Sequence, residues 1–313
     1  MKKNLLITGG NGFLGIGLAL KFKKKYNIFL GSRNNKNNFE AEKLTGCTSV
    51  PMDVSNYNSI NDALEYCKPD IIIHAAATKF VGLSETHPFE CSDINILGST
   101  NLARCAINKK IKTVIGISTD KATQPIKNFY GLSKAVMERI FHLANKKSKT
   151  KFVIVRYGNV AWSTGSVLPV WRDMFKKNKT IQTTGPFMRR FFFTIDDAVT
   201  LVDTALKKQN ILAGKILCPE MKSSTMINII KNWIKIYGGS YKIIKNREGD
   251  REDEYLISDN EIKFCEEKIF YEKKYFIIDF IKKSTKPLKK IISSKTCKKL
   301  NNKEIAQIIK KGF

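Results

Sequence analysis

The chain has 313 residues, 42% of them hydrophobic, enough for one large α/β domain with a smaller one appended. Its formal charge of +27 comes mostly from lysines scattered over the whole length among many Asn and Ile residues; this reads as a solvated coat that also attracts a nucleotide diphosphate, not as a nucleic-acid surface. Seven scattered cysteines without a CxxC pair, and only His74, His87 and His142, argue against a disulfide framework or a metal site, and with no signal peptide or bilayer-length apolar stretch visible the expectation is a cytoplasmic protein without stable membrane insertion.

Short apolar runs alternate with helical patterns, which predicts a doubly wound parallel sheet with crossover helices. Leu5 to Thr8 opens the series as a strand. Ile28 to Leu30, Ser49 to Val50, Ile71 to Ile73, Val114 to Ile117 and Phe152 to Val155 follow, and a strand near Lys215 to Leu217 rejoins the sheet. Helices are predicted at Leu14 to Lys25, Tyr57 to Cys67, Phe89 to Asn108, Tyr130 to Asn145 and Ser224 to Tyr237. Residues 1–160 and about 195–218 are expected to form a dinucleotide-binding domain. Residues from about 161–194 and 219–285 would form a smaller C-terminal α/β substrate domain. The lysine-dense tail, 286–313, is expected to be solvated, with a helical packing arm or a membrane-surface contact as alternatives.

The segment Thr8-Gly9-Gly10-Asn11-Gly12-Phe13-Leu14-Gly15 follows a strand and opens a helix. Glycines there permit a tight turn and let the backbone approach a pyrophosphate at a helix N-terminus. At the end of the second strand, where an NAD enzyme usually carries an acid, stand Gly31-Ser32-Arg33. Arg33 can pair with a 2′-phosphate, so NADP is expected in preference to NAD. Asp53 and Val54 are placed near the adenine, and Ala75, Ala76 and Ala77 leave room for the cofactor backbone.

Ser118-Thr119-Asp120-Lys121 ends the fifth predicted strand, and Tyr130-Gly131-Leu132-Ser133-Lys134 opens the next helix. Tyr130 and Lys134, four apart, share a helix face. The Lys134 ammonium is expected to lower the phenol so that Tyr130 acts as a base, with Thr119 holding a substrate hydroxyl.

TGGNGFLG, MDVSN, HAAATK, Asn95-Ile96-Leu97-Gly98-Ser99 and YGLSK together resemble the extended short-chain dehydrogenase/reductases. The resemblance implies a Rossmann domain followed by a sugar-nucleotide domain. Within that superfamily STDKATQP, VRYGNVAWSTGSVLP, the Met188-Arg189-Arg190-Phe191 segment and REGDREDEYL look like the UDP-N-acetylglucosamine 4,6-dehydratases that invert C5, over residues 4–260. Two departures stand out: one extra residue between Asp120 and Tyr130, and Trp162 in a place where smaller residues are usual, where it would reshape or fill the sugar pocket.

The resemblance implies that Tyr130 takes the proton of the sugar 4-OH as hydride leaves C4, that Lys121 is the base for C5, and that Asp120 is the acid for the departing 6-OH. A neutral Lys121 and a protonated Asp120 would then be needed. Lys79, Asn159, Arg189, Arg190, Arg247 and Glu254 are candidates for binding a UDP-sugar, the arginines because their forked donors suit a diphosphate; each arginine could instead pair with acids of the 248–254 run. Helices 89–108 and 130–145 would pack against a second copy, as a homo-oligomer. The alternatives are a nucleotide-sugar 4-epimerase or 4-ketoreductase of the same fold and, more remotely, a non-catalytic basic binding protein.

Overall fold

Six parallel strands, β1 (Asn4–Thr8), β2 (Asn27–Ser32), β3 (Thr48–Pro51), β4 (Ile71–His74), β5 (Thr113–Thr119) and β6 (Lys151–Tyr157), form the centre of the computed structural model, which describes residues 2–245 and 249–312. Their apolar runs are buried from both sides: Leu5, Leu6, Ile7, Ile72, Ile73, Val114, Ile115 and residues 152–155 have no exposed surface. The spatial order is β3-β2-β1-β4-β5-β6, so the winding reverses between β1 and β4. This is a Rossmann-type doubly wound α/β fold, whose ligand crevice lies at the carboxyl ends of the strands beside that reversal.

The sheet extends to nine strands. Ile216–Pro219 continues it in parallel beside β6, and Lys273–Ile278 and Cys265–Phe270 then close the edge as antiparallel strands. These last two strands were expected in the smaller domain, but Tyr275, Phe276, Ile277 and Ile278 are buried in the main core and belong with the large sheet. A helix at Asn35–Thr45 was also unforeseen; Asn34 caps its start, and Gly46 ends it in the left-handed region, so local polar chemistry compensates for a weak apolar pattern.

The smaller layer holds two short sheets. One joins Asn159–Val160, Arg189–Phe193 and Lys222–Thr225; the other pairs Thr180–Thr183 with Ser240–Ile243. Its own core is built on Trp171, Phe175, Ile229, Ile230 and Trp233.

The tail departs from the solvated terminus expected. Ile292–Ser293 pairs with Tyr255–Ile257, and a helix at Asn302–Lys310 buries Ile305, Ile308 and Ile309 in the core of Trp171 and Trp233. Asn301 and Glu304 form a reciprocal cap at its start. The alternative of a helical packing arm describes it.

Candidate active site

The glycine turn is shaped by contacts that a side chain would break. Gly9 has φ +67°, and a Cβ there would lie 2.9 Å from Ala76 N. At Gly15 a Cβ would fall 2.6 Å from the carbonyl oxygens of Gly9 and Gly10. The helix Phe13–Phe22 therefore starts tightly against the end of β1, and no side chain caps its first turn. Its free N–H groups and the space in front of Gly12 suit the diphosphate of a dinucleotide.

A cleft of about 810 Å³ runs from this turn into the smaller layer. Gly9, Gly12, Phe13, Leu14, Gly15, Ala75, Ala76, Ala77, Lys79, Thr119, Lys121, Tyr130, Lys134, Asn159, Arg190 and Glu254 line it, which brings most of the expected site residues together. Thr8 does not reach it. Fully buried below the turn, its Oγ1 lies 2.8 Å from His74 Nδ1 and accepts the Ala76 N–H, while His74 Nε2 lies 3.1 Å from Ser99 Oγ. Thr8 thus supports the loop instead of touching the cofactor space.

Ser32, Arg33, Asp53 and Val54 lie off the lining of this cleft, at the ends of β2 and β3. Ser32 is bonded to Asn38, which also accepts from Asn11. Arg33 is 55% exposed, with its guanidinium 3.8 Å from Asp53. Val54 is packed beside Gly98. Arg247 lies outside the described residues.

The residues expected to carry the redox step converge where β5 ends and the helix Phe129–Lys147 begins. Asn128 caps that helix by accepting the Gly131 N–H at 2.8 Å. Gly131 is needed because a Cβ there would collide with the Lys121 carbonyl at 2.2 Å. Thr119 Oγ1 donates to Asp120 Oδ1 at 2.9 Å, and Lys121 Nζ donates to the same oxygen at 3.1 Å and to Asn159 Oδ1 at 3.2 Å. Glu254 Oε1 lies 3.3 Å from Lys121 Nζ. Asp120 and Glu254 are both buried, and their second oxygens, Oδ2 and Oε2, have no hydrogen-bond partner among the described residues.

Two electrostatic expectations need correction. Lys134 is not among the main influences on Tyr130: its Nζ lies 3.1 Å from Met137 Sδ, and burial brings its own ammonium down to about 8. Burial pushes the Tyr130 phenol up to about 12, and the cation acting against that rise is Lys121. Nor is Lys121 made neutral by its surroundings. Burial disfavours its charge, but the carboxylates of Asp120 and Glu254 outweigh that effect and hold the ammonium above its ordinary value. Burial raises Asp120, against the lowering effect of Lys121.

The arginines separate into two kinds. Arg189 clamps Asp253 with Nε at 2.6 Å and also bonds Glu252, so its fork is spent on the neighbouring loop and it does not line the cleft. Arg190 does line it, with Nε 3.9 Å from Glu254 Oε1. Trp162, expected in the sugar pocket, instead turns away: its Nε1 donates to the Ile308 carbonyl at 2.7 Å in the C-terminal helix.

Several contributors had no role assigned from the sequence. Asn95, in a π-helical turn at Asp93–Leu97, bonds Thr78 through both amide groups and donates to Ser133 Oγ at 2.9 Å, tying the β4 loop to the tyrosine helix. Arg251 spans from the Thr123 and Pro125 carbonyls towards Glu254. Ser294 accepts the Glu254 N–H at 3.0 Å and donates to Asp253 at 2.7 Å, fixing the loop that carries the glutamate. Arg156 and Glu138 form a buried pair at 2.7 Å beneath Ser118. Among the described residues no group of His, Cys, Asp or Glu is placed to hold a metal ion.

The family model described as "Polysaccharide biosynthesis protein" matches residues 5–277. A Rickettsia bellii protein named UDP-glucose 4-epimerase is 37% identical over 279 residues, covering 85% of this chain and 80% of that protein. A Methanocaldococcus jannaschii protein named an uncharacterized membrane protein is 34% identical, covering 98% of this chain and 95% of the relative. Among solved structures, Pen from Bacillus thuringiensis superposes with a TM-score of 0.90 at 28% identity, covering 98% and 97% of the two chains. The UDP-glucose 4-epimerase of Thermus thermophilus, solved with NAD, shares the fold with a TM-score of 0.71 at 20% identity, covering 81% and 90%.

Proposed function

The chain belongs to the polysaccharide biosynthesis protein family of extended short-chain dehydrogenase/reductases, and from that premise we propose that it is a nucleotide-sugar 4,6-dehydratase acting on UDP-N-acetylglucosamine with inversion at C5. The observation that carries this reading is the Asp120–Lys121–Glu254 cluster, in which Lys121 and Glu254 line the same cleft as Tyr130 and Asp120 is fully buried behind Lys121. Oxidation of a carbinol needs an acid-base group such as Tyr130 near the cofactor. It does not need a second acid-base pair.

The glycine turn, with its uncapped helix start and the cradle a Cβ would fill, fits a nicotinamide dinucleotide. Arg33 supports NADP, because among the described residues Asp53 is its one carboxylate partner, and a 2′-phosphate would replace it. When bound, the oxidised nicotinamide supplies a hydride acceptor and a positive charge.

Tyr130 must be ionised to act, a form that Lys121 favours and that the positive charge of a bound oxidised nicotinamide would favour further; its phenolate then accepts the proton of the sugar 4-OH, and Thr119 orients that hydroxyl. Once C4 is a ketone, the C5 proton is acidified. Lys121 is held as an ammonium in the resting site, so it must give up a proton before it can accept one. Asp120 Oδ1, 3.1 Å away, is the acceptor in place, and burial already favours its protonated form. That single transfer leaves a neutral amine for C5 and a carboxylic acid for the departing 6-OH, the two forms that elimination requires; the 5,6-alkene that remains takes back at C6 the hydride lost from C4, and a proton at C5, so no reductant is consumed. Arg190 and Lys79 line the cleft as cations for the diphosphate. A homo-oligomer through the helices after β4 and β5 is supported by their exposed Phe89, Leu97, Leu132 and Leu143.

Incubation of the purified protein with UDP-N-acetylglucosamine tests this reading. A product lighter by one water, with the absorbance of a 4-keto-6-deoxy sugar in alkali and no need for added reductant, is expected. The names of the Rickettsia relatives favour a second reading, 4-epimerisation, in which the product keeps its mass and its 6-OH.

A further inference from the structure

A second cavity, of about 440 Å³, lies outside the catalytic cleft, where the C-terminal arm crosses the edge of the large sheet. Its inner wall is apolar: Met221 and Phe276 are buried, and Leu288, Ile292 and Cys297 are partly covered. Its rim carries Lys274, Lys286, Lys289, Lys290 and Lys298. Two acids share that rim and are already matched, Glu267 to Lys274 at 2.8 Å and Glu220 to Lys298 at 3.4 Å. Lys286, Lys289 and Lys290 are exposed and have no carboxylate partner among the described residues.

The surrounding segment separates this rim from the general lysine coat. Residues 282–299 hold eight of the chain's 55 cations and none of its 28 acids. The segment is also fixed in place: Ser284 N donates to the Lys263 carbonyl, Leu288 N to the Cys265 carbonyl, and Ile292–Ser293 is paired as a strand. The cations therefore stand as a preformed surface. Beside them Ile281 is 57% exposed.

We propose that this cavity and its lysine rim dock the protein on an anionic membrane surface, the rim taking a phospholipid headgroup phosphate and the apolar wall taking the glycerol and upper acyl carbons. Clusters of four to eight lysines suit the diffuse negative potential of a lipid leaflet, which falls off within a Debye length of the surface. Nucleic acid is the poorer match. The segment contains no arginine to fork onto bases or phosphates and no aromatic residue to stack on a base; Phe276 in the cavity wall is buried, and Phe280 lies tilted against His142 at 4.6 Å. A phosphate alone would need no apolar wall.

Sedimentation with vesicles tests the proposal independently of the reaction catalysed. The full chain is mixed with phosphatidylcholine vesicles with and without a quarter of phosphatidylglycerol. Binding is expected only to the anionic vesicles and should be lost in high salt. Each lysine near such a surface contributes roughly a fivefold gain in partitioning. The triple variant Lys286→Gln, Lys289→Gln, Lys290→Gln should therefore bind about a hundredfold more weakly. A remote triple at exposed positions, Lys24→Gln, Lys43→Gln and Lys146→Gln, should change binding far less, and both variants should keep wild-type thermal stability. Ile281→Ser should weaken binding severalfold. Equal loss in the two triples, equal binding to neutral vesicles or no binding by the wild type would overturn the proposal. So would displacement by millimolar glycerol 3-phosphate, which marks a soluble-phosphate site, or tighter retention on duplex DNA through the same three lysines.

Discussion

Glu254 Oε1 lies 3.3 Å from Lys121 Nζ, and Asp120 Oδ1 lies 3.1 Å from the same nitrogen, so one buried ammonium is shared by two buried carboxylates. Both acids raise the Lys121 ammonium, and removing one must let it fall. Glu254→Gln is therefore expected to move the acid limb of the pH–rate profile to lower pH by roughly one pH unit or more. A profile of kcat against pH for both proteins checks this, and an unchanged acid limb would exclude Lys121 as the titrating base.

Tyr130→Phe removes the proton acceptor without altering the packing of a helix start that Asn128 caps. The rate of C4 oxidation should drop by about 10²–10⁴ while dinucleotide binding is retained. Transient absorbance of the reduced nicotinamide reads the first quantity, and quenching of protein fluorescence the second.

Cofactor choice is expected to follow Arg33, which stands exposed beside Asp53. Arg33→Glu should weaken NADP binding by roughly 10–100-fold, the loss of a charge-assisted hydrogen bond, and leave NAD binding nearly unchanged. Titration calorimetry with both cofactors distinguishes this from equal losses, which would make Arg33 a surface charge.

His74 should make the fold acid-sensitive. Burial is the main cause that lowers its ring from 6.5 to about 3, with the Lys134 charge adding to it. The unfolded chain therefore binds a proton in a window, from about pH 6.5 down to about 3, in which the folded protein does not. Stability is full above that window and falls as the pH drops through it, by about 2 kcal/mol between pH 7 and pH 5. Urea unfolding across this range measures the slope, and His74→Gln should flatten it.

The C-terminal helix offers a test of packing. Deleting residues 302–313 strips Ile305, Ile308 and Ile309 from the core of Trp171 and Trp233. At about 1.5–3 kcal/mol for each buried side chain the loss is roughly 5 kcal/mol or more. Calorimetry should show the smaller layer melting earlier than the sheet; a single unshifted transition would mean that the arm contributes little.

What could be read from the sequence was what is local. The glycine turn declares itself because strand, turn and helix follow one another within Thr8 to Gly15, and Tyr130 and Lys134 share a face by helical spacing alone. Long-range partners were not visible. For Arg189 the sequence left open a diphosphate or an acid of the 248–254 run, and only the fold shows that Asp253 occupies its fork; nothing near Lys121 shows that Glu254 will arrive beside it. The tail misled because lysine density masked a signal that was present: Asn301 and Glu304 have the spacing of a reciprocal cap, and Ile305, Ile308 and Ile309 follow at helical intervals. Trp162 shows the same limit, since its partner, the Ile308 carbonyl, lies in that tail.

The fate of a label at C4 tests the central claim most directly. With UDP-N-acetylglucosamine deuterated at C4, dehydration carries the deuterium to C6, and proton magnetic resonance should show it in the new methyl group of a 4-keto-6-deoxy sugar. Deuterium remaining at C4 of a sugar that keeps its 6-OH would contradict the account and establish epimerisation in its place.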